Sequence, residues 1–211
     1  MDNTPDLIIG GIYKTNFNSD LRRVIAFDEF EVFYDAYWTT LDKWTFSDSL
    51  NGKCFYYRTT PYHFLNSAEL LKVQPLTEKE FSIFRPDLAF RPFRHKQIQW
   101  TTEIFDSMDL YLDKLSRSGF HISDEIALNI PEIILHPYGP KGGGAKAKKI
   151  SATNGYSFTH NELLWNAHCI QAINLREDSK DGVGLFRLGH EKKSPSYYIG
   201  NYYDKANFLR E

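Results

Sequence analysis

Short runs of apolar and aromatic residues, broken by Asn, Asp, Ser and Gly, fill the first sixty positions. "LIIGGIYK", "LRRVIAF", "EVFYDAYW" and "KCFYYRT" are rich in β-branched and ring residues, which predicts a series of strands. Strands of this length and spacing suit a curled antiparallel sheet or a small barrel. Within "EVFYDAYW", side-chain alternation puts Val32, Tyr34 and Ala36 on one face and Phe33, Asp35 and Tyr37 on the other. Two short helices follow. Thr60 caps a helix that opens on Pro61, and "TEKE" forms a capping box from Thr77 to Glu80.

The period changes after residue 100. Ile104, Met108, Tyr111, Leu112 and Leu115 make one helical stripe, ended by Gly119 as the residue past the cap. A second box, Thr159 to Glu162, opens "HNELLWNAHCIQAIN", which is apolar on most sides and so predicts a buried helix. "VGLFRLG" and "SYYIGNYY" then form a hairpin across the turn His190 to Pro195. Between the halves, "RPDLAFRPFRHK" resists regular structure, because each X-Pro step disfavours helix at Arg85 and Arg91. The expected fold is α+β: an antiparallel, small-barrel-like β-rich lobe over 1–84, a linker over 85–100, and a lobe of two main helices and a hairpin over 101–211.

Composition agrees with a folded chain. Of 211 residues, 42% are hydrophobic and 25% charged, enough apolar material for a core. The 16% aromatic share favours strands and contact surfaces. Cys54 and Cys169 are too few and too far apart for a disulfide framework or a thiolate zinc site. No apolar run approaches the ~20 residues of a membrane span. The start "MDNTPDLIIGG" has no basic signal region, so a cytoplasmic protein without a membrane partner is expected.

A net charge of −2 argues against a wholesale polyanion binder, yet charge is unevenly spread. From Gln97 to Ile134 stand Glu103, Asp106, Asp109, Asp113, Asp124, Glu125 and Glu132 against Lys114 and Arg117. "HPYGPKGGGAKAKKI" then carries Lys141, Lys146, Lys148 and Lys149 and no acid. Lys141 precedes its glycines, the reverse of a P-loop, so nucleotide cradling is excluded. The reading that remains is a flexible, exposed arm whose lysines neutralise a nucleic-acid backbone. "FRPDLAFRPFRHK" supports it by interleaving Phe84, Phe90 and Phe93 with Arg85, Arg91, Arg94 and Lys96, rings to stack on bases and cations to hold phosphates. Lys192 and Lys193 add cations at the hairpin turn.

Residues 132 to 168 contain "EIILHP", a glycine-rich segment and "NELLWNAH". Their order resembles that of the HNH nucleases. The resemblance implies a metal-dependent site with His136 as base, Asn161 orienting it and His168 as ligand to a divalent metal. Leu135 stands where that family usually has an acidic or His ligand. The leading expectation is therefore a nucleic-acid-associated, DNA-binding type of accessory protein without a cofactor. Its contacts are Lys141, Lys146, Lys148, Lys149, Arg91, Arg94, Lys96, Lys192 and Lys193. The alternatives are the HNH-like nuclease and a protein–protein adaptor docking a protein partner through its aromatic surface.

Overall fold

A computed structural model describes residues 6–15, 21–38, 42–45, 48–50, 53–66, 68–141 and 143–202. The fold is α+β. The chain divides into two compact units, residues 1–87 with 188–195, and residues 88–187 with 196–211.

In the first unit, β1 (Gly11–Lys14), β2 (Leu21–Phe27), β3 (Val32–Trp38), β4 (Lys43–Thr45), β7 (Tyr57–Thr59) and β8 (Glu69–Val73) form one antiparallel sheet. Its order is β4-β3-β2-β1-β8, with β7 also on β3. β5 (Asp48–Leu50) and β6 (Lys53–Phe55) leave this series. They pair with each other, and β6 pairs with Gly189–Glu191 of β14 (Gly182–Glu191). The expected barrel is accordingly corrected to an open sheet: among the described residues β4 and β8 stay at its two ends, and the strands nearest to closing it pair elsewhere.

Both faces of the sheet are covered. On one, Tyr13, Val24, Val32 and Tyr34 pack with Phe64 of helix α1 (Pro61–Leu65), which Thr60 caps and Pro61 opens. On the other, Phe33 meets Tyr56 edge to face, and Tyr56 meets Phe84 of α2 (Glu78–Phe84) in the same way. The capping box of Thr77 and Glu80 forms as the spacing predicts. Glu80 has a second role. Arg23, on β2, donates two bonds to Asp35, at 2.7 and 3.3 Å, and one to Glu80 at 2.8 Å, and its guanidinium stands 5.2 Å from the Trp44 ring. The side chains of Arg23 and Asp35 are 3% and 0% exposed, so this ionic group lies inside the unit.

In the second unit, β9 (Phe93–Gln99), β14, β15 (Ser194–Tyr202), β11 (Glu132–His136) and β12 (Lys148–Ser151) form a mixed sheet in which β11 and β15 run parallel. β10 (Ile126–Leu128) and β13 (Phe158–Thr159) make a separate pair. Helices α3 (Met108–Arg117) and α4 (His160–Ala172) supply Tyr111, Leu115, Leu163, Leu164, Ala167 and Ile170 to a core shared with Ile133, Leu135, Val183, Leu185, Tyr197 and Ile199 of the sheet. Trp100 is fully buried among them and donates its indole N–H to the Gly200 carbonyl at 3.0 Å.

Three local expectations are corrected. Beyond Pro92 the expected linker is strand β9, because "FRHKQIQ" contains no further proline and pairs with β14. α3 starts at the Ser107 cap, so Ile104 lies outside it and is exposed. At α4, Thr159 caps as predicted, but the Glu162 carboxylate binds the Thr153 amide (2.6 Å) and hydroxyl (2.7 Å) and does not reach back to the cap. The hairpin turn is tighter than expected. Lys192 and Lys193 are its central pair, at φ 47° and 71°.

Two stability outcomes follow from these contacts. Positive φ at both central positions is the type I′ pattern, which favours Asn-Gly. Lys192→Asn with Lys193→Gly is expected to raise unfolding free energy by on the order of 1 kcal/mol in a denaturant titration, since each non-glycine left-handed residue costs about that much. Burial pushes the Glu80 carboxyl up, but hydrogen bonds from the Thr77 amide, Arg23 and the Thr77 hydroxyl, with the Arg23 charge, outweigh it and hold it below the ordinary 4.5. Its ionised form stabilises the fold above that value, and the contribution disappears as pH falls through the depressed one. Glu80→Gln should therefore flatten the acid limb of Tm against pH. An acid limb as steep as that of the wild type would contradict the assignment.

Candidate functional site

Two glycines build the main concavity of the second unit. Gly119, at φ +85°, ends α3 and turns the chain into Phe120, His121 and Ile122. Opposite, the pairing of β9 with β14 jumps from Gly182↔Gln99 to Val183↔His95, so residues 96–98 bulge over a single step of β14. A Cβ at Gly182 would stand 2.3 Å from the His95 carbonyl oxygen and 2.6 Å from the Lys96 Cα, so the bulge needs glycine beneath it. Between these walls is a cleft of about 330 Å³.

Its polar lining is Arg94, His95, Lys96, Gln97 and His121, and no carboxylate lines it. His95 stacks on Phe93 (6.3 Å, 15° between planes), and its buried Nε2 has no partner. Burial, then the charge of His160 at the start of α4, pulls its pKa below the ordinary 6.5. Two of the expected contacts, Arg94 and Lys96, thus come together in the cleft. Arg91 is next to them in charge: burial first, and then the Arg94 guanidinium, pulls its pKa down to about 10.

The other expected contacts are elsewhere. The lysine- and glycine-rich segment is not a free arm. The Gly139 amide donates to Gly143, the Ala145 amide to Pro137, and Tyr138 bridges Gly144, so the segment closes as an extension of the β11–β12 hairpin. These backbone bonds offset the ordering cost that glycine carries. Lys141 and Lys146 are exposed along it, and Gly142 lies outside the described residues. Lys148 and Lys149 are exposed on β12, with Lys149 ion-paired to Glu132 at 2.7 Å. Lys192 and Lys193 belong to the first unit.

The three residues of the nuclease-like order are engaged separately. His168 is 1% exposed and turned into the core, its ring 4.4 Å from that of Tyr111 and nearly parallel, with Phe105 and Trp165 beside it. Its Nε2 faces the Glu103 carbonyl at 3.1 Å and so carries the proton, and burial holds the ring neutral. Asn161 donates to Asp124 at 3.4 Å, and His136 pairs with Tyr198 across β11 and β15. Asn161 and His168 are seven positions apart on α4, a rise of roughly 10 Å. Among the described residues no three His, Cys, Asp or Glu side chains are placed to hold a metal ion. The expected divalent-metal site is corrected to a core histidine and two residues with other partners, because the apolar pattern of α4 turns His168 inward. The stacking rings expected between the halves are also corrected: Phe84, Phe90 and Phe93 are 5%, 8% and 3% exposed and are core.

No described helix is long and apolar enough to cross a membrane. Compared with known proteins, the chain matches no family model, no curated protein and no solved structure. His95, His121 and Phe120 were not among the expected contacts, since only the bulge and the Gly119 turn bring them to Arg94 and Lys96. In an NMR titration, His95 should deprotonate below pH 6.5, and adding inorganic phosphate should raise its midpoint. A midpoint indifferent to phosphate would mean that the cleft holds no anion beside that ring.

Proposed function

We propose that this chain is a nucleic-acid-associated binding protein that holds the phosphate backbone at the cleft of the second unit. The observation that carries this reading is the lining itself: Arg94, Lys96, His95 and His121 converge and no carboxylate opposes them. In a chain with as many acids as bases overall, such local sorting of charge is what attracts a polyanion. Lysine and arginine that neutralise phosphates release condensed counterions, so the affinity should fall steeply with salt. Arg94 and Lys96 are the principal contacts, Arg91 supports them, and exposed Lys141, Lys146 and Lys148 extend the cationic surface. Lys149, shared with Glu132, contributes less.

The experiment is fluorescence anisotropy with labelled oligothymidylate across a salt series. Wild-type affinity should decline linearly on logarithmic axes. Arg94→Ala with Lys96→Ala should lower the affinity and reduce the slope by about two, near one per lost phosphate contact. A slope unchanged in that folded double variant would place the contacts elsewhere, and salt-independent or absent binding by the wild type would end the proposal.

A further inference from the structure

With Phe84, Phe90 and Phe93 in the core, base stacking must come from other rings, and the outer face of the second unit's sheet carries them. Val183, Leu185, Tyr197 and Ile199 point into the core, so alternation turns Gly184, Phe186, Tyr198, Gly200 and Tyr202 to the opposite face. Phe186 and Tyr198 stack with centroids 5.0 Å apart and planes 20° from parallel. Beside them the two strands have only glycine. A Cβ at Gly184 would stand 2.4 Å from Cζ of Phe186, and one at Gly200 would stand 2.9 Å from Tyr198 and 3.2 Å from Phe186. The ring pair therefore lies down over the glycines, against the backbone, and both rings remain partly exposed.

Cations flank this aromatic floor. Arg94 pairs in register with Gly184, its guanidinium is 4.5 Å from the Tyr202 ring, and it also lines the cleft. The floor and the cleft thus meet at one side chain. A base within a duplex has neighbours on both faces and cannot lie on such a surface, whereas an unpaired base has a face to offer.

Resting on the backbone-binding reading above, we propose that the ligand is a single strand. One or two of its unpaired bases stack on the Phe186–Tyr198 floor while its phosphates pass Arg94 into the cleft. Rings supply affinity without base identity, so little sequence preference is expected.

The test compares wild-type affinity for oligothymidylate, for an abasic strand with the same number of phosphates, and for the same sequence as a duplex. The abasic strand and the duplex should each bind roughly ten- to a hundredfold more weakly, with the abasic salt slope unchanged. Phe186→Leu and Tyr198→Leu should each weaken oligothymidylate binding by about tenfold and leave abasic binding as it was, while Tyr198→Phe should bind like the wild type. If normal and abasic strands bind equally and with salt sensitivity, the floor is overturned and the backbone reading stands. If none of the three ligands binds in a salt-dependent way, both fall. Should the leucine variants not fold, the abasic comparison on the wild type still decides.

Discussion

The surface chemistry of the second unit depends on how closely β9 approaches Gly182. Three residues of β9 are spent against one step of β14, and the backbone of His95 and Lys96 comes to rest where any other residue would have a side chain. In a regular strand, Arg94, His95 and Lys96 would point alternately to opposite faces. The bulge brings all three to one wall. It also stops Gly182 from extending the flat pairing, leaving Arg94 in register with Gly184, where it reaches both the cleft and Tyr202.

The two units handle buried cations in opposite ways. Arg23 meets two carboxylates and a tryptophan face, and although burial opposes its charge, Asp35 and Glu80 raise its pKa above the ordinary value. Removing one partner of such a pair would leave a charge without compensation, at a cost of about 3–5 kcal/mol. Arg91 is instead beside another guanidinium, and both burial and that neighbour weaken its hold on the proton. The first arrangement is complete in itself. The second gains from any anion that arrives between like charges.

Much of the fold was legible because its signals are local. Thr60, Thr77, Ser107 and Gly119 each mark a helix end through a hydrogen bond or a left-handed turn that a few residues determine. The faces of β3 followed from alternation alone, with Val32 and Tyr34 in one cluster and Asp35 on the other side with Arg23. What could not be read were partners chosen at a distance. Nothing within "DSL" or "KCF" says that β5 and β6 leave their neighbours, and nothing in "FRHKQIQ" announces a bulge whose cause is Gly182. The candidate site was half legible for the same reason. Arg94 and Lys96 stand out as cations, but His95 and His121 matter only once the chain has folded, and Gly184 and Gly200 look like weak strand positions until the rings that cover them are known. His168 misled because a motif order carries no information about which way a helix faces.

The hairpin of β14 and β15 has a consequence for how the protein is made. Residues 188–195 belong to the unit that otherwise ends at Asp87, and they supply the edge on which β6 pairs. A ribosome delivers them about a hundred residues after the rest of that unit. Domains usually mature in the order of synthesis, but here the amino-terminal unit has to wait for a late instalment. Until it comes, Lys53–Phe55 has one ladder unfilled, and a nascent chain at that stage exposes a strand edge that chaperones would have reason to cover.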